Sequence, residues 1–280
     1  MALIDAILNL IGLVLWVSWR TPNSVSLATS APLSIAGTLK RTEPQRLKRW
    51  HFLVTLAALV IFRAWLYWQL GSPVNWTPAL RFGAISISFR SDIFLRMALF
   101  SLLGIVLTLA LFYQWLLLFS IVNNRDAESS SIQRLIQAHL GRFDRLPLVI
   151  KWFLPLVLAF TAWIALDQLF VRWQILPQPK SHSVIVMTAT VLAIGVYLSW
   201  KFAIAAILLL YLVNSYLYLG EHQFWSFISL TARNLISPLK KLPLRIGRVD
   251  FAPVVGLALV FLACELLERE LTVLYMRFCI

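Results

Sequence analysis

The sequence predicts an all-α polytopic membrane protein with about six transmembrane helices, two parallel repeat hairpins and short interfacial amphipathic helices. Three observations carry this. Hydrophobic residues make up 60% of the 280-residue chain and charged residues 13%, against roughly 45–50% and about 25% in ordinary soluble domains; that excludes a soluble globular enzyme. Six apolar stretches are long enough to cross a bilayer, and one long segment recurs further along the chain.

Crossing about 30 Å of hydrocarbon takes about 20 mainly apolar residues at about 1.5 Å of rise each. The first stretch, Ala2 to Trp19, carries Asp5, has no basic leading region and is followed by no small-residue cleavage site, so it reads as a retained helix rather than a signal peptide. Thr21 to Pro44 is rich in Ser, Thr and Pro and reads as a flexible cytoplasmic linker. The next spans are Trp50 to Leu70, Ile93 to Val122, Leu148 to Trp173, Val184 to Leu219 and Phe251 to about Leu271. The third and fifth exceed one thin crossing and so tilt or extend beyond the bilayer; a break in the fifth is expected near Ser199, Trp200 and Lys201. Residues 1–90 thus form an N-terminal hairpin with a basic linker, 91–173 a first, degenerate repeat and 184–280 a second.

The net charge is +13. In a soluble chain this would raise nucleic acid as a partner, but here the basic residues collect beside spans. Arg20, Lys40, Arg41, Arg46, Lys48 and Arg49 follow the first span, Arg125, Arg134, Arg142, Arg145 and Lys151 fall between the third and fourth, and Arg233, Lys240, Lys241, Arg245 and Arg248 between the fifth and sixth. The other side holds Arg81, Arg90, Arg96, Arg172, Lys180, Arg269 and Arg277. The positive-inside rule places both termini outside and the three basic loops in the cytoplasm, facing anionic headgroups, with no nucleic acid involved. Trp16, Trp19, Trp50, Trp115 and Trp152 near inner span ends, and Trp65, Trp68 and Trp173 near outer ends, suit anchoring at headgroup level. Cys264 and Cys279 form neither a disulfide framework nor a CxxC pair.

The repeat lays Phe112–Leu169 over Leu208–Leu267 at an offset of 96 residues. Each copy has a long apolar helix, a polar break, a short amphipathic stretch, Leu-Pro-Leu (146–148 and 242–244) and a helix with a proline in its first turn, Pro155 or Pro253. A two-residue insertion brings Asp167 onto Glu265. Both loops lie on one side, so the copies are parallel repeats. Ile132, Leu135, Ile136, Leu140 and Phe143 recur at helical spacing opposite Gln133, Arg134, Gln137 and Arg142, which describes a helix lying in the interface. Phe224, Phe227, Ile228, Leu235, Ile236 and Leu239 are its counterpart, interrupted by Ser237 and Pro238.

The run Asn214, Tyr216, Leu217, Gly220, Phe224 to Phe227, Leu235, Ser237 to Leu239, Leu242, Pro243, Ile246, Gly247 and Val249 to Val254 resembles the signature of the YggT family of bacterial and plastid integral membrane proteins. Pro243, Gly247, Asp250 and Pro253 carry the signature; in the first copy Lys151 and Trp152 stand where the second has Val249 and Asp250. The resemblance implies one or two modules of helical hairpin plus amphipathic connector, residence in the bacterial inner membrane, and a part in envelope or thylakoid membrane biogenesis.

A charge at the bilayer centre costs about 2.5–3.5 kcal/mol on insertion scales, so intramembrane charges are candidate sites. Asp5, Arg63, Asp167, Lys201 and Glu265 are expected to form a polar cluster in which Arg63 pairs with Asp5, or with Asp167 and Glu265, or else to snorkel or pair structurally. Lys240, Lys241, Arg245 and Arg248 are candidates for lipid or partner contact, and Asp250 for capping the last helix. His51, His139, His182 and His222 have no metal-ligand spacing, and no hydrolase motif surrounds Ser229, Thr231 or Ser237, so no cofactor, metal or catalytic residue is expected. The functional expectation is a non-enzymatic scaffold or assembly factor contacting anionic lipid, a membrane protein complex or itself; the alternatives are a small-solute or ion transporter or channel, and an accessory subunit of a membrane redox complex.

Overall fold

The computed structural model describes residues 2–21, 49–74, 76–82, 85–124, 131–176, 181–217, 222–241, 245–246 and 249–279. The described residues are helical almost throughout, and the chain forms two compact units, residues 1–76 with 90–109 and residues 77–89 with 110–280. The division falls inside the third long helix. Apart from Thr21, the linker expected at Thr21 to Pro44 lies outside the described residues.

The first unit packs α1 (Ala2–Arg20), α2 (Arg49–Val74) and the beginning of α3 (Phe94–Val122). Arg20 in the last turn of α1 meets the negative end of the helix dipole, and the Thr21 hydroxyl donates to the Val17 carbonyl at 2.7 Å. Most of α1 is bare: Leu3, Ile7, Leu10 and Val14 are all exposed apolar side chains. The α2–α3 contact includes a polar stitch, Ser101 Oγ donating to the Val60 carbonyl at 2.9 Å.

In the second unit, β1 (Ala79–Phe82) and β2 (Ile85–Ser88) pair antiparallel from Ala79↔Ser88 to Phe82↔Ile85. Ile85 and Ile87 are buried while Ser86 and Ser88 are exposed, the period-two pattern of a half-buried strand. Phe89, fully buried, continues this face onto the Phe170 ring at 6.2 Å. This hairpin is not among the elements expected from sequence, because it spans only a few residues between two much stronger helical signals.

The remainder of α3 leads to α4 (Ser131–Leu140), a 3₁₀ segment (Gly141–Arg145) and α5 (Leu148–Arg172). Gly141 has φ +56°, the left-handed conformation that glycine adopts without steric cost, and it ends α4. There follow α6 (His182–Gly195), a 3₁₀ segment (Val196–Ser199), α7 (Trp200–Leu217) and α8 (Gln223–Ile236). A 3₁₀ segment (Ser237–Lys241), β3 (Arg245–Ile246), β4 (Val249–Asp250) and α9 (Ala252–Cys279) complete the chain. Thus long helix, amphipathic helix, 3₁₀ segment and long helix occur twice in the same order.

Among the described residues five helical stretches are long and apolar enough to cross a bilayer: Leu3–Arg20, Trp50–Gly71, Phe94–Val122, Leu148–Arg172 and His182–Leu217. The expected sixth span forms its helix, α9, but Glu265, Glu268, Arg269 and Glu270 interrupt its apolar character, and it does not qualify. The fifth stretch breaks at Val196–Ser199, which reaches the expected point at Ser199. Side chains of α3 occupy its carbonyls there: Gln114 Nε2 donates to Val196 O at 2.6 Å and Trp115 Nε1 to Ser199 O at 3.2 Å.

The core of the second unit lies between the two copies. Leu117, Ile121, Ile136, Leu140, Leu208, Phe227 and Ile236 belong to one buried cluster. At its polar centre Asn123 Nδ2 donates to Thr231 Oγ1 at 3.0 Å, and Asn234 Nδ2 donates to Asn123 Oδ1 at 3.2 Å. Thr231 in turn donates to the Phe227 carbonyl at 2.8 Å. Asn123→Ala should lower stability by about 1–3 kcal/mol, because it removes two side-chain hydrogen bonds that join α3 to α8, one of them to the fully buried Thr231; a denaturant titration in detergent, followed by helical circular dichroism, measures the loss.

Candidate functional site: intramembrane ion pairs and a basic interfacial face

Asp5 and Asn9 are one turn apart on α1, as are Arg63 and Tyr67 on α2, and the two i, i+4 pairs interlock. Arg63 is fully buried. Its Nη2 bonds and ion-pairs with Asp5 Oδ1, and its Nη1 donates to Asn9 Oδ1 at 2.6 Å. Tyr67 OH donates to the same Asp5 oxygen at 2.8 Å. The guanidinium carbon stands 5.4 Å from the Tyr67 ring centroid and 5.6 Å from that of Phe100, within cation–π range. Gly104 makes room for this packing, since a Cβ there would come within 2.8 Å of Nη2.

A second cation, Lys151, belongs to the first turn of α5 rather than to the basic loop expected between the third and fourth spans, and is 1% exposed. Its Nζ donates to Ser120 Oγ at 2.8 Å and lies 3.6 Å from Asp144 Oδ1, to which Ser120 donates at 2.6 Å. The three groups tie the 3₁₀ segment after α4 to both flanking long helices. Lys201 at the start of α7 pairs with Glu268 of α9 at 3.1 Å and stands 5.4 Å from the Phe202 ring. Its acid is one turn beyond Glu265, which is exposed. Asp167 is buried within α5.

Of the candidate residues, Asp5, Arg63 and Lys201 take part in ion pairs. Asp5 and Arg63 meet in the first unit; Asp167, Lys201 and Glu265 belong to the second, where Lys201 takes Glu268. Asn9, Tyr67, Ser120, Asp144 and Glu268 were missed. Asn9 and Tyr67 were legible as i, i+4 partners of the two charges already singled out, whereas the Lys151 cluster joins three elements that no local spacing connects.

Along the helix expected to lie in the interface, Ile136, Leu140 and His139 are buried in the core while Leu135 and Phe143 are exposed. His139 Nδ1 lies 3.0 Å from the Leu135 carbonyl and its ring edge faces Phe112. His222 caps α8, its Nδ1 accepting from the Phe224 N–H at 3.2 Å. Arg134, Arg142, Arg145 and Arg233 stand exposed along α4, its 3₁₀ extension and α8. The side chains of Lys240, Lys241, Arg245 and Asp250 lie outside the described residues, as do Pro243, Gly247 and Arg248 altogether; Asp250 pairs through its backbone with Arg245, and Pro253 is buried in the first turn of α9. Among the described residues no group of His, Cys, Asp and Glu is arranged to hold a metal ion.

Comparison with protein families, with curated proteins and with solved structures finds no match to this chain. The chain is, on its own physical character, an integral membrane protein.

Removing one partner from a buried ion pair leaves an uncompensated charge, at a cost of about 3–5 kcal/mol. Asp5→Ala should therefore destabilise the first unit by an amount in that range or somewhat below it, because Asp5 is partly exposed. The exchange Asp5→Arg with Arg63→Asp should recover part of the loss, as read from thermal unfolding in detergent. Gly104→Ala should reproduce the Asp5→Ala defect by displacing the guanidinium.

Proposed function

We propose that this chain is a non-enzymatic membrane scaffold or assembly factor whose interfacial helices bind anionic headgroups or an acidic partner protein. The observation that carries the reading is a division of labour among cations. Arg63, Lys151 and Lys201 are paired within the chain, whereas Arg134, Arg142, Arg145 and Arg233 are exposed on amphipathic helices whose apolar residues enter the core. Such a face contributes about 1 kcal/mol per basic residue at a negatively charged surface. In the sequence, Lys240, Lys241, Arg245 and Arg248 follow directly and add to the same charge.

The resemblance to the YggT signature supports a place in the bacterial inner membrane and a role in envelope biogenesis, with the basic loops cytoplasmic; both termini then lie outside when α9 crosses as the sixth span. A transport pathway through the break in the fifth stretch receives less support. The Val196 and Ser199 carbonyls, which could face an ion, accept from Gln114 and Trp115, and the adjoining Lys201 is neutralised by Glu268.

Mass spectrometry of the intact chain, isolated from its native membrane in mild detergent, tests the proposal. Retained phosphatidylglycerol or a stoichiometric partner is expected, and replacing Arg134, Arg142, Arg145 and Arg233 together by Gln should release it. Retention unchanged by that substitution, or ion flux in liposomes abolished by Lys201→Met, would overturn the scaffold reading.

A further inference from the structure

α9 has two faces. Cys264, Leu267, Leu271 and Tyr275 turn inward, packing with Val191 and Leu198. On the opposite face Leu259, Leu262, Leu266, Arg269, Val273 and Met276 follow one another at alternating spacings of three and four, the heptad a/d pattern of a coiled-coil seam. The apolar members are 47–59% exposed, and Arg269 is exposed with them.

Neither lipid nor water suits this whole stripe. α9 has 28 residues, about 42 Å of helix at about 1.5 Å per residue, against about 30 Å of hydrocarbon. If the bilayer holds its first 20 or so residues, Glu265, Arg269 and Glu270 lie exposed within the apolar layer. If the bilayer ends before them, Val273 and Met276 stand exposed in water. Protein covering the stripe removes both conflicts.

We propose that the cover is α9 of a second copy of this chain. Two copies inserted the same way are related by an axis along the membrane normal, so their α9 helices meet in parallel and each stripe faces its own equivalent. The charges suit this arrangement. Glu265 and Glu270 flank the seam at positions g and e around Arg269 at d, so each Arg269 falls between its own Glu265, one turn away, and the facing Glu270. Among the described residues none of the three has an ion pair within the chain.

The test uses the full chain in lipid nanodiscs. Single cysteines are introduced in a Cys264→Ser, Cys279→Ser background and oxidised with copper phenanthroline. Leu262→Cys and Val273→Cys, on the stripe, should give dimer bands, whereas Phe261→Cys and Leu274→Cys, exposed but off it, should remain single chains. Arg269→Glu should abolish the Leu262→Cys band, and adding Glu270→Arg should restore it. The unaltered chain should show twice the mass of one copy, a reading independent of whether any variant folds. A one-copy mass, cross-linking of equal strength all round the helix, or a different protein captured at the stripe would each overturn the proposal.

Discussion

In hydrocarbon an apolar side chain gains little by exchanging lipid for protein, so helix association in this chain depends on close packing and on buried polar contacts. The clearest instance is α1, whose apolar side chains mostly face outward and whose bond to α2 runs through Asp5 and Asn9 on one side and Arg63 and Tyr67 on the other. Arginine suits that position because its planar fork reaches two oxygens on successive turns at once and still presents its faces to the Tyr67 and Phe100 rings.

The same requirement organises the second unit. Its two repeat copies share an apolar cluster, but apolar contact alone leaves register undefined. Asn123, Thr231 and Asn234 supply it, because amide and hydroxyl groups are satisfied in few relative positions. Lys151 does the same for the 3₁₀ segment after α4, drawing Ser120 and Asp144 from either side. With the interfacial helices held in this way, their arginines project outward as a fixed basic surface.

Composition was enough to identify a membrane protein, and the apolar stretches were long enough to read as helices one by one. The parallel repeat was legible because Leu-Pro-Leu and the first-turn prolines punctuate both copies identically. Other features were hidden for physical reasons. The β1–β2 hairpin carries too few residues to compete with helical signals, although the alternation from Ile85 to Ser88 records it. His139 carries a polar ring that no spacing in the sequence assigns to the core, yet α4 turns it inward beside Ile136 and Leu140. Glu265 was a candidate partner for Arg63, but it stands exposed, and the acid of α9 that meets a base is Glu268, which pairs with Lys201.

The medium, the helical class, the repeated module and the placing of charge at span ends are all written in the chain itself, since each depends on local composition and on spacing along one element. Which acid meets which base, which residues of the amphipathic helices are covered, and where the break at Val196–Ser199 finds its hydrogen-bond donors emerge only once the helices are packed. Those outcomes depend on how separate helices are rotated and stacked against one another, and side chains far apart in the chain set that arrangement jointly.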